Sequence, residues 1–254
     1  MIVSIAQAQV FFLALTRVMA MIVHVPVLGG SGIPNRIKIG FGVLLAMVIV
    51  TWDPLPASQA ALPLVALAVQ IARELLIGTL AGFGAVLTFG AIQMAGDVMG
   101  MGSGFRAAQM LNPALGLQGS SMNQFFVVVA TLVFLAVDGH HLFLIAVQRT
   151  FDMLPLATAL PAFSSERLLA TTGKLVGTGV QIALPVFGAV LLTDLSLGLL
   201  ARVAPQIQVF FLGVPVKLGI GIVALLFSLG VLFPLLRDLF SSIGDHTLML
   251  LGGL

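Results

Sequence analysis

Residues Leu62–Ala91 read LPLVALAVQIARELLIGTLAGFGAVLTFGA, and this stretch decides the class of protein to which the chain belongs. Its only charged residues are Arg73 and Glu74, which are adjacent. About 20 mainly apolar residues are enough for a helix to cross the hydrocarbon core of a membrane. The stretch is longer than that, so it predicts a membrane-spanning helix.

The composition of the whole chain has the same character. Of its 254 residues, 59% are hydrophobic and 8% are charged, and the mean hydropathy is +1.18. A soluble domain carries about 25% charged residues, so the surface of this chain must face lipid or partner subunits. The net charge of +2 comes with no basic patch typical of nucleic-acid binding. There is no cysteine, which excludes disulfides and thiol catalysis.

Apolar runs of helical length recur along the chain, and no polar stretch is long enough to fold by itself. We therefore expect a single membrane domain, residues 1–254, of all-α class: a polytopic protein with about six apolar, partly broken helices. Proline interrupts the last two runs, at Pro185, Pro215 and Pro234. Kinked helices are tolerated at membrane depth where protein or a water-filled cavity covers the freed backbone groups. The predicted segments are Ile2–Leu28, Ile37–Trp52, Leu62–Ala91, Gln124–Val147, Leu175–Leu200 and Val209–Leu236.

Glycine and methionine gather in Gln93–Met122, between the third and fourth segments. Gly96, Gly100 and Gly104 are four apart, a spacing that allows close helix packing, although a flexible loop is an alternative. Methionine adapts to variable surfaces, so core filling and a soft constriction around a passing chain are both open. Overall the stretch suits a re-entrant loop or plug. The candidate plug residues are Met99, Met101, Phe105, Met110, Asn112, Pro113 and Leu117.

Five ionisable residues lie inside the apolar segments, where charge is costly. Arg73 and Glu74 are adjacent, so on a helix they point apart and need different partners. Asp194 and Lys217 are candidates for a pair between the last two segments. We expect structural pairs within or between subunits, with a proton or ion path as the alternative. The five are Arg17, Arg73, Glu74, Asp194 and Lys217.

No catalytic or cofactor-binding constellation is recognisable. His140 and His141 follow Asp138 and Gly139, but adjacent helical positions point apart, so we expect no metal site there. The chain has no zinc-protease, phosphate-loop or nucleophile-elbow motif. We therefore expect a protein that is not an enzyme and binds no cofactor.

Short motifs in a fixed order resemble the FliR family, the flagellar type III export-gate subunit whose injectisome counterparts are the SctT/SpaR proteins. The resemblance runs from about Phe11 to Leu239, and its motifs are specific in combination. They are LTR (15–17), PV (26–27), IPNRIKIG (33–40), RELLIG (73–78), DGH (138–140), LP (154–155), DLSLGLLARVAPQ (194–206) and FFLGVP (210–215).

The resemblance implies a subunit that joins FliP and FliQ in a helical pore of hairpins at the core of the flagellar basal body, in the inner membrane. FlhB and FlhA would be further partners, and unfolded flagellar proteins the cargo. It also implies a FliP-like part, about residues 1–150, and a FliQ-like part, about 151–254. A plug loop would fall at 93–122. Two alternatives stay open: an injectisome export-gate subunit, and a stand-alone small-solute transporter using the apolar-segment charges.

Overall fold

The computed structural model describes residues 4–30, 32–50, 61–104, 121–157, 164–206 and 208–251, apart from the side chain of Phe210. Helix is the sole regular secondary structure in these ranges, which confirms the predicted all-α class. A helix satisfies its own backbone hydrogen bonds, as a chain surrounded by lipid requires. The helices are α1 (Ile5–His24), α2 (Pro26–Gly29), α3 (Asn35–Ile49), α4 (Leu64–Gly102), α5 (Ser121–Ala136), α6 (Gly139–Met153), α7 (Ser165–Val203), α8 (Val209–Ser241) and α9 (Ile243–Met249).

Polar side chains define where several helices begin. The hydroxyl of Ser4 accepts from the backbone N–H of Gln7, and the Gln7 side chain accepts from the N–H of Ser4, which forms a capping box at the start of α1. At α7, the hydroxyl of Ser164 accepts from the backbone N–H of Arg167 at 3.3 Å, which caps the helix. Pro26 occupies the first turn of α2, where its missing N–H has no cost.

Four described helices, α1, α4, α7 and α8, are long and apolar enough to cross a membrane. A fifth span is reached when α5 and α6 are counted together as one broken span. Each of the six predicted apolar segments contains helix where it is described, and the chain is a polytopic membrane protein. Pro185 lies inside α7, and Pro215 and Pro234 lie inside α8, as expected.

Two predicted boundaries are wrong. The segment Gln124–Val147 is two helices, because Asp138 adopts a left-handed conformation with φ of 55° and interrupts the helix. An Asp-Gly pair is a turn signal, and here it overrides the apolar pattern. The predicted loop Gln93–Met122 is wrong over residues 93–102, which belong to α4, and at Ser121 and Met122, which begin α5.

The chain divides into two compact units. The first comprises Met1–Leu87, Asp138–Thr171 and Ser241–Leu254. Within it, α1 packs on α3 through the buried residues Ala14 and Ala46. Glycine allows α4 to approach α1 closely: a Cβ on Gly78 would lie 2.6 Å from the carbonyl oxygen of Arg17. A Cβ on Gly82 would meet the Cβ of His24 at 2.8 Å.

The second unit comprises Thr88–Val137 and Thr172–Phe240. Three buried rings, Phe89 of α4, Phe134 of α5 and Phe240 of α8, contact one another with centroids 5.0–5.5 Å apart. Tilted and edge-on pairs of this kind add about 0.5–1.5 kcal/mol each beyond the area they bury. The two units each draw on both halves of the chain, and the likeness of 1–150 and 151–254 to FliP and FliQ stays a prediction.

Removal of one ring from this cluster should destabilise the protein. We expect Phe134→Ala to cost about 3–5 kcal/mol, because the side chain is fully buried and its loss leaves a cavity. The control is Phe227→Ala on α8, where the side chain is 85% exposed and fills no core. The measurement is the temperature at which half of the detergent-solubilised chain leaves the monodisperse peak in size-exclusion chromatography. Equal midpoints for the two variants would show that the ring cluster does not hold this unit together.

Candidate functional site

Arg17 of α1 and Glu74 of α4 form a buried ion pair in the first unit. Their side chains are 0% and 1% exposed, and Nε of Arg17 donates to Oε2 of Glu74 at 2.6 Å. Charges removed from water are stable only when they are paired and hydrogen-bonded. The pair therefore fixes α1 against α4 at one register. Arg73, the next residue, is half-buried and has no hydrogen-bond or ion-pair partner within the described ranges. Glu74 therefore pairs with Arg17 and not with its neighbour Arg73, as expected for adjacent positions on a helix.

The same guanidinium also holds the C-terminal end of α6. Nη1 of Arg17 donates to the carbonyl oxygens of Thr150 at 2.9 Å and Leu154 at 2.7 Å. The last carbonyls of a helix carry partial negative charge, which a buried cation stabilises. The Arg17 Cζ also lies 4.4 Å from the centre of the Phe151 ring, a cation–π contact. Arg17 thus joins α1, α4 and α6.

Glu74 also contacts the segment that follows α6. Its Oε1 accepts from the backbone N–H of Ala157 at 3.4 Å. Ala157 has φ of 62°, a left-handed conformation that costs a residue with a Cβ about 1–2 kcal/mol. The ion pair therefore holds the segment after α6 from both ends, at Leu154 and at Ala157. The sequence pointed to the two charges, but the carbonyls of Thr150 and Leu154 carry no signal in the sequence.

Asp194 of α7 and Lys217 of α8 form an ion pair in the second unit, and their side chains are 41% and 27% exposed. The two helices run antiparallel. Leu197 lies next to Gly213, Asp194 next to Lys217, and Val190 next to Gly221. A step of three or four residues backward along α7 is matched by a step of four residues forward along α8. The sequence raised this pair as a candidate, and its function stays a prediction.

The antiparallel register places charged residues of α7 and α8 at two levels, one at each end of an uncharged part of the hairpin. Continued from Asp194 and Lys217, it places Lys174 level with Arg237. The residues between the two levels, Leu175–Thr193 and Leu218–Leu236, are uncharged runs of 19 residues each. At 1.5 Å per residue each run rises about 28 Å, close to the hydrocarbon thickness of about 30 Å. The two charged levels therefore bound the part of the hairpin whose length matches the hydrocarbon core of a bilayer.

The tip of the hairpin, beyond Asp194 and Lys217, is apolar and exposed. Leu199, Val203 and Phe211 are exposed by 66%, 82% and 71%. Apolar surface outside the hydrocarbon core is stable only when it is covered by protein. The exposed tip also carries Arg202 and Gln206, so it combines apolar and polar surface.

The candidate plug residues are only partly described. Met99 is buried near the end of α4 and Met101 is exposed. Gly104 follows α4 with φ of 79°, so the predicted glycine face includes Gly96 and Gly100 but not Gly104. A Cβ on Gly96 would lie 2.8 Å from Cα of Asn123, so α4 and α5 approach closely there. Phe105, Met110, Asn112, Pro113 and Leu117 lie outside the described residues.

Close packing fixes the position at which α4 ends. Ser103 is fully buried, and its hydroxyl donates to the carbonyl oxygen of Met99 at 2.5 Å. A Cβ on Gly221 of α8 would lie 2.8 Å from Cβ of Ser103, and a Cβ on Gly102 would contact Phe187 of α7. The end of α4 is therefore held by α7 and α8. The sequence did not indicate this anchor, because Ser103 and Gly221 match no pattern.

The two adjacent histidines do not point apart as expected. The ring centroids of His140 and His141 are 4.2 Å apart, and Nδ1 of His141 lies 3.4 Å from Oδ1 of Asp138. The reason is their position in the first turn of α6, where Asp138 and His141 are three residues apart and lie on one face. The argument that excluded convergence on one ion is wrong for this turn.

Comparison with known proteins identifies the family. A family model described as "Bacterial export proteins, family 1" matches residues 8–243, which include every site residue described above. The chain belongs to this family. Bacterial export proteins of family 1 that resemble it include three named "Flagellar biosynthetic protein FliR". The protein from Pectobacterium carotovorum subsp. carotovorum is 34% identical over 92% of this chain and 90% of its own length. Those from Escherichia coli (strain K12) and Bacillus subtilis (strain 168) are 32% and 30% identical, over 92% and 91% of this chain and 90% of their own lengths.

Breaking the buried pair of this export protein should be severely destabilising. Glu74→Gln leaves the Arg17 charge buried without a counter-ion, and we expect a loss of about 3–5 kcal/mol. Arg73→Gln is the matched control, because Arg73 is the next residue and has no partner in the described part of the chain. The yield of monodisperse protein and its thermal midpoint measure the effect.

The double variant Arg17→Met with Glu74→Leu should lose less stability than Glu74→Gln alone, since it leaves no unpaired charge. If Glu74→Gln and Arg73→Gln were equally stable, the ion pair would not be what joins these helices.

Two glycines on α8 provide a test of the anchor at the end of α4. Gly221→Ala forces Ser103 to move, and because Ser103 is fully buried we expect a cost of about 1–3 kcal/mol. Gly219→Ala meets nothing within 4 Å among the described residues and should be neutral or stabilising by up to about 1 kcal/mol. Thermal midpoints in detergent compare the two. A tolerated Gly221→Ala would show that the close contact with Ser103 is not required.

Proposed function

We propose that the protein is a structural, non-enzymatic subunit of the flagellar type III export apparatus, located in the inner membrane at the basal body. It forms with FliP-like and FliQ-like subunits the pore through which unfolded flagellar proteins pass. FlhB and FlhA are further partners. The observation that carries this proposal is the family match over residues 8–243, together with relatives named FliR that align over about nine-tenths of their length.

The hairpin of α7 and α8 supports an assembly rather than a lone membrane protein. Exposed apolar residues follow α7 from Leu169 to Val203, a rise of about 50 Å, whereas the hydrocarbon core is about 30 Å thick. Lipid covers only part of that length. Sister subunits cover the remainder, including the apolar tip beyond Asp194 and Lys217.

The half-buried charge of Arg73 also supports an assembly of several subunits. Arg73 has no partner among the described residues, and it lies in an apolar stretch of α4 beside the exposed side chains of Leu75 and Leu76. A cation in that setting requires an acceptor. A neighbouring subunit in the gate provides one, which accounts for the charge without an ion path.

The stretch that begins at the anchored end of α4 is proposed to plug the closed pore. The anchor of Ser103 against Gly221 fixes the point from which this stretch departs. The proposed plug, residues 105–117, would therefore start from a helix end that is held in place by α7 and α8. Energy for transport comes from elsewhere in the apparatus, so this subunit contributes the path and its closure.

Shortening the chain between Phe105 and Leu117 tests the plug and the assembly separately. We expect the shortened chain to co-purify with FliP-like and FliQ-like subunits but to make the cytoplasmic membrane leak small ions, because the closed pore loses its plug. The control is an equal shortening within 54–60, which should assemble and not leak. The readouts are pull-down of the complex and ion flux in cells.

The outcomes separate the parts of the proposal. A shortened chain that assembles and does not leak overturns the plug assignment alone. A full-length chain that pulls down no export subunits, stays monodisperse by itself and moves a solute unaided overturns the export-gate function. Restoration of swimming in a deletion strain distinguishes the flagellar role from that of an injectisome.

A further inference from the structure

Three metal-ligating side chains meet at the start of α6, in the first unit. Asp138 caps the helix, and His140 and His141 lie in its first turn. One ligand atom from each of the three side chains lies within 4.8 Å of the other two. Neither the proposed export function nor the ion pairs described above use this cluster.

Local geometry explains why the three groups converge. Asp138 has φ of 55°, which turns the chain sharply before α6, and Gly139 adds no side chain between the ligands. Asp138 and His141 face the same side of the first turn. His140 leans over His141, with the ring planes 38° apart. The cluster is thus formed by the backbone turn and not by chance contacts of long side chains.

One nitrogen in the cluster is unsatisfied. Nδ1 of His140 is buried and has no hydrogen-bond partner in the described part of the chain. A buried polar atom without a partner costs about 1–3 kcal/mol. A cation bound at Nδ1 would give this atom a partner.

We propose that Asp138, His140 and His141 bind a divalent transition-metal ion. Two imidazoles and one carboxylate form a donor set that suits Zn²⁺, Co²⁺, Ni²⁺ or Cu²⁺ rather than Mg²⁺ or Ca²⁺, which prefer oxygen. Two ligand atoms on one tetrahedral zinc are about 3.3 Å apart. Nδ1 of His141 and Oδ1 of Asp138 are already 3.4 Å apart, so small side-chain rotations complete the site.

The carboxylate and one imidazole are accessible from outside. The side chains of Asp138 and His141 are 71% and 65% exposed, which leaves an entry path for the ion. A bound ion would cross-link the cap to the first turn of α6. It would also complete its coordination with water or with a group from a partner subunit, because three protein ligands leave a position open.

Cobalt provides a direct test in the full-length chain purified with its co-purifying subunits and a tag free of histidine. We expect one Co²⁺ per chain with visible d–d absorption bands, displaced by Zn²⁺ but not by Mg²⁺. His141→Gln and Asp138→Asn should each weaken Co²⁺ binding by at least about tenfold, since even loss of an outer-shell partner costs 10–100-fold. Asparagine tolerates the left-handed conformation of position 138, so Asp138→Asn preserves the turn.

The matched control is His24→Gln, since His24 lies on α1 and its Nδ1 contacts the carbonyl oxygen of Ala20. This variant should bind Co²⁺ like the parent chain. Absence of saturable Co²⁺ absorption overturns the proposal, as does equal affinity in the parent chain and in a monodisperse Asp138→Asn or His141→Gln variant. The exposed positions of both substitutions keep the test independent of folding.

Discussion

A guanidinium that is removed from water needs acceptors, and this need organises the first unit, where Nε and Nη1 of Arg17 have acceptors and Nη2 has none among the described residues. Arg17 has Glu74 on one side and the carbonyls of Thr150 and Leu154 on another. These acceptors belong to α4 and to the C-terminal end of α6, so neither helix can shift against α1 without leaving charge or a carbonyl uncompensated. Apolar packing alone tolerates sliding of one helix past another. The buried pair specifies a single register.

The second constraint is the thickness of the membrane. In the hairpin of α7 and α8, charged residues lie at two levels separated by 19 uncharged residues, and the apolar surface continues past one of these levels. A helix that is surrounded only by lipid would become polar where the hydrocarbon core ends. The continued apolar face therefore argues for protein contact at that end, and the ion pair of Asp194 and Lys217 lies at the transition.

The fold class could be predicted from the sequence because several apolar runs reach the length of about 20 residues that a membrane-spanning helix requires. Element boundaries were harder. Asp138 breaks a run that hydropathy treats as continuous, and α4 extends into a glycine-rich stretch because Gly96 lies against α5 rather than in a loop. The charged residues could be picked out as costly, but their acceptors include backbone carbonyls, which have no signature. The convergence of His140 and His141 depends on a single left-handed residue, which no periodicity reveals.

An export gate that is closed by a plug needs a rigid frame of packed helices, which holds the plug segment in position. In the second unit, glycines let helices approach closely: a Cβ on Gly96 would lie 2.8 Å from Cα of Asn123, and a Cβ on Gly221 would lie 2.8 Å from Cβ of Ser103. Such contacts leave no room for a side chain to adjust, so the frame resists deformation at the end of α4. Gly104 then turns the chain at φ of 79° immediately after the anchored Ser103. Packing between helices therefore determines the backbone position and conformation at Gly104, the last described residue before the proposed plug.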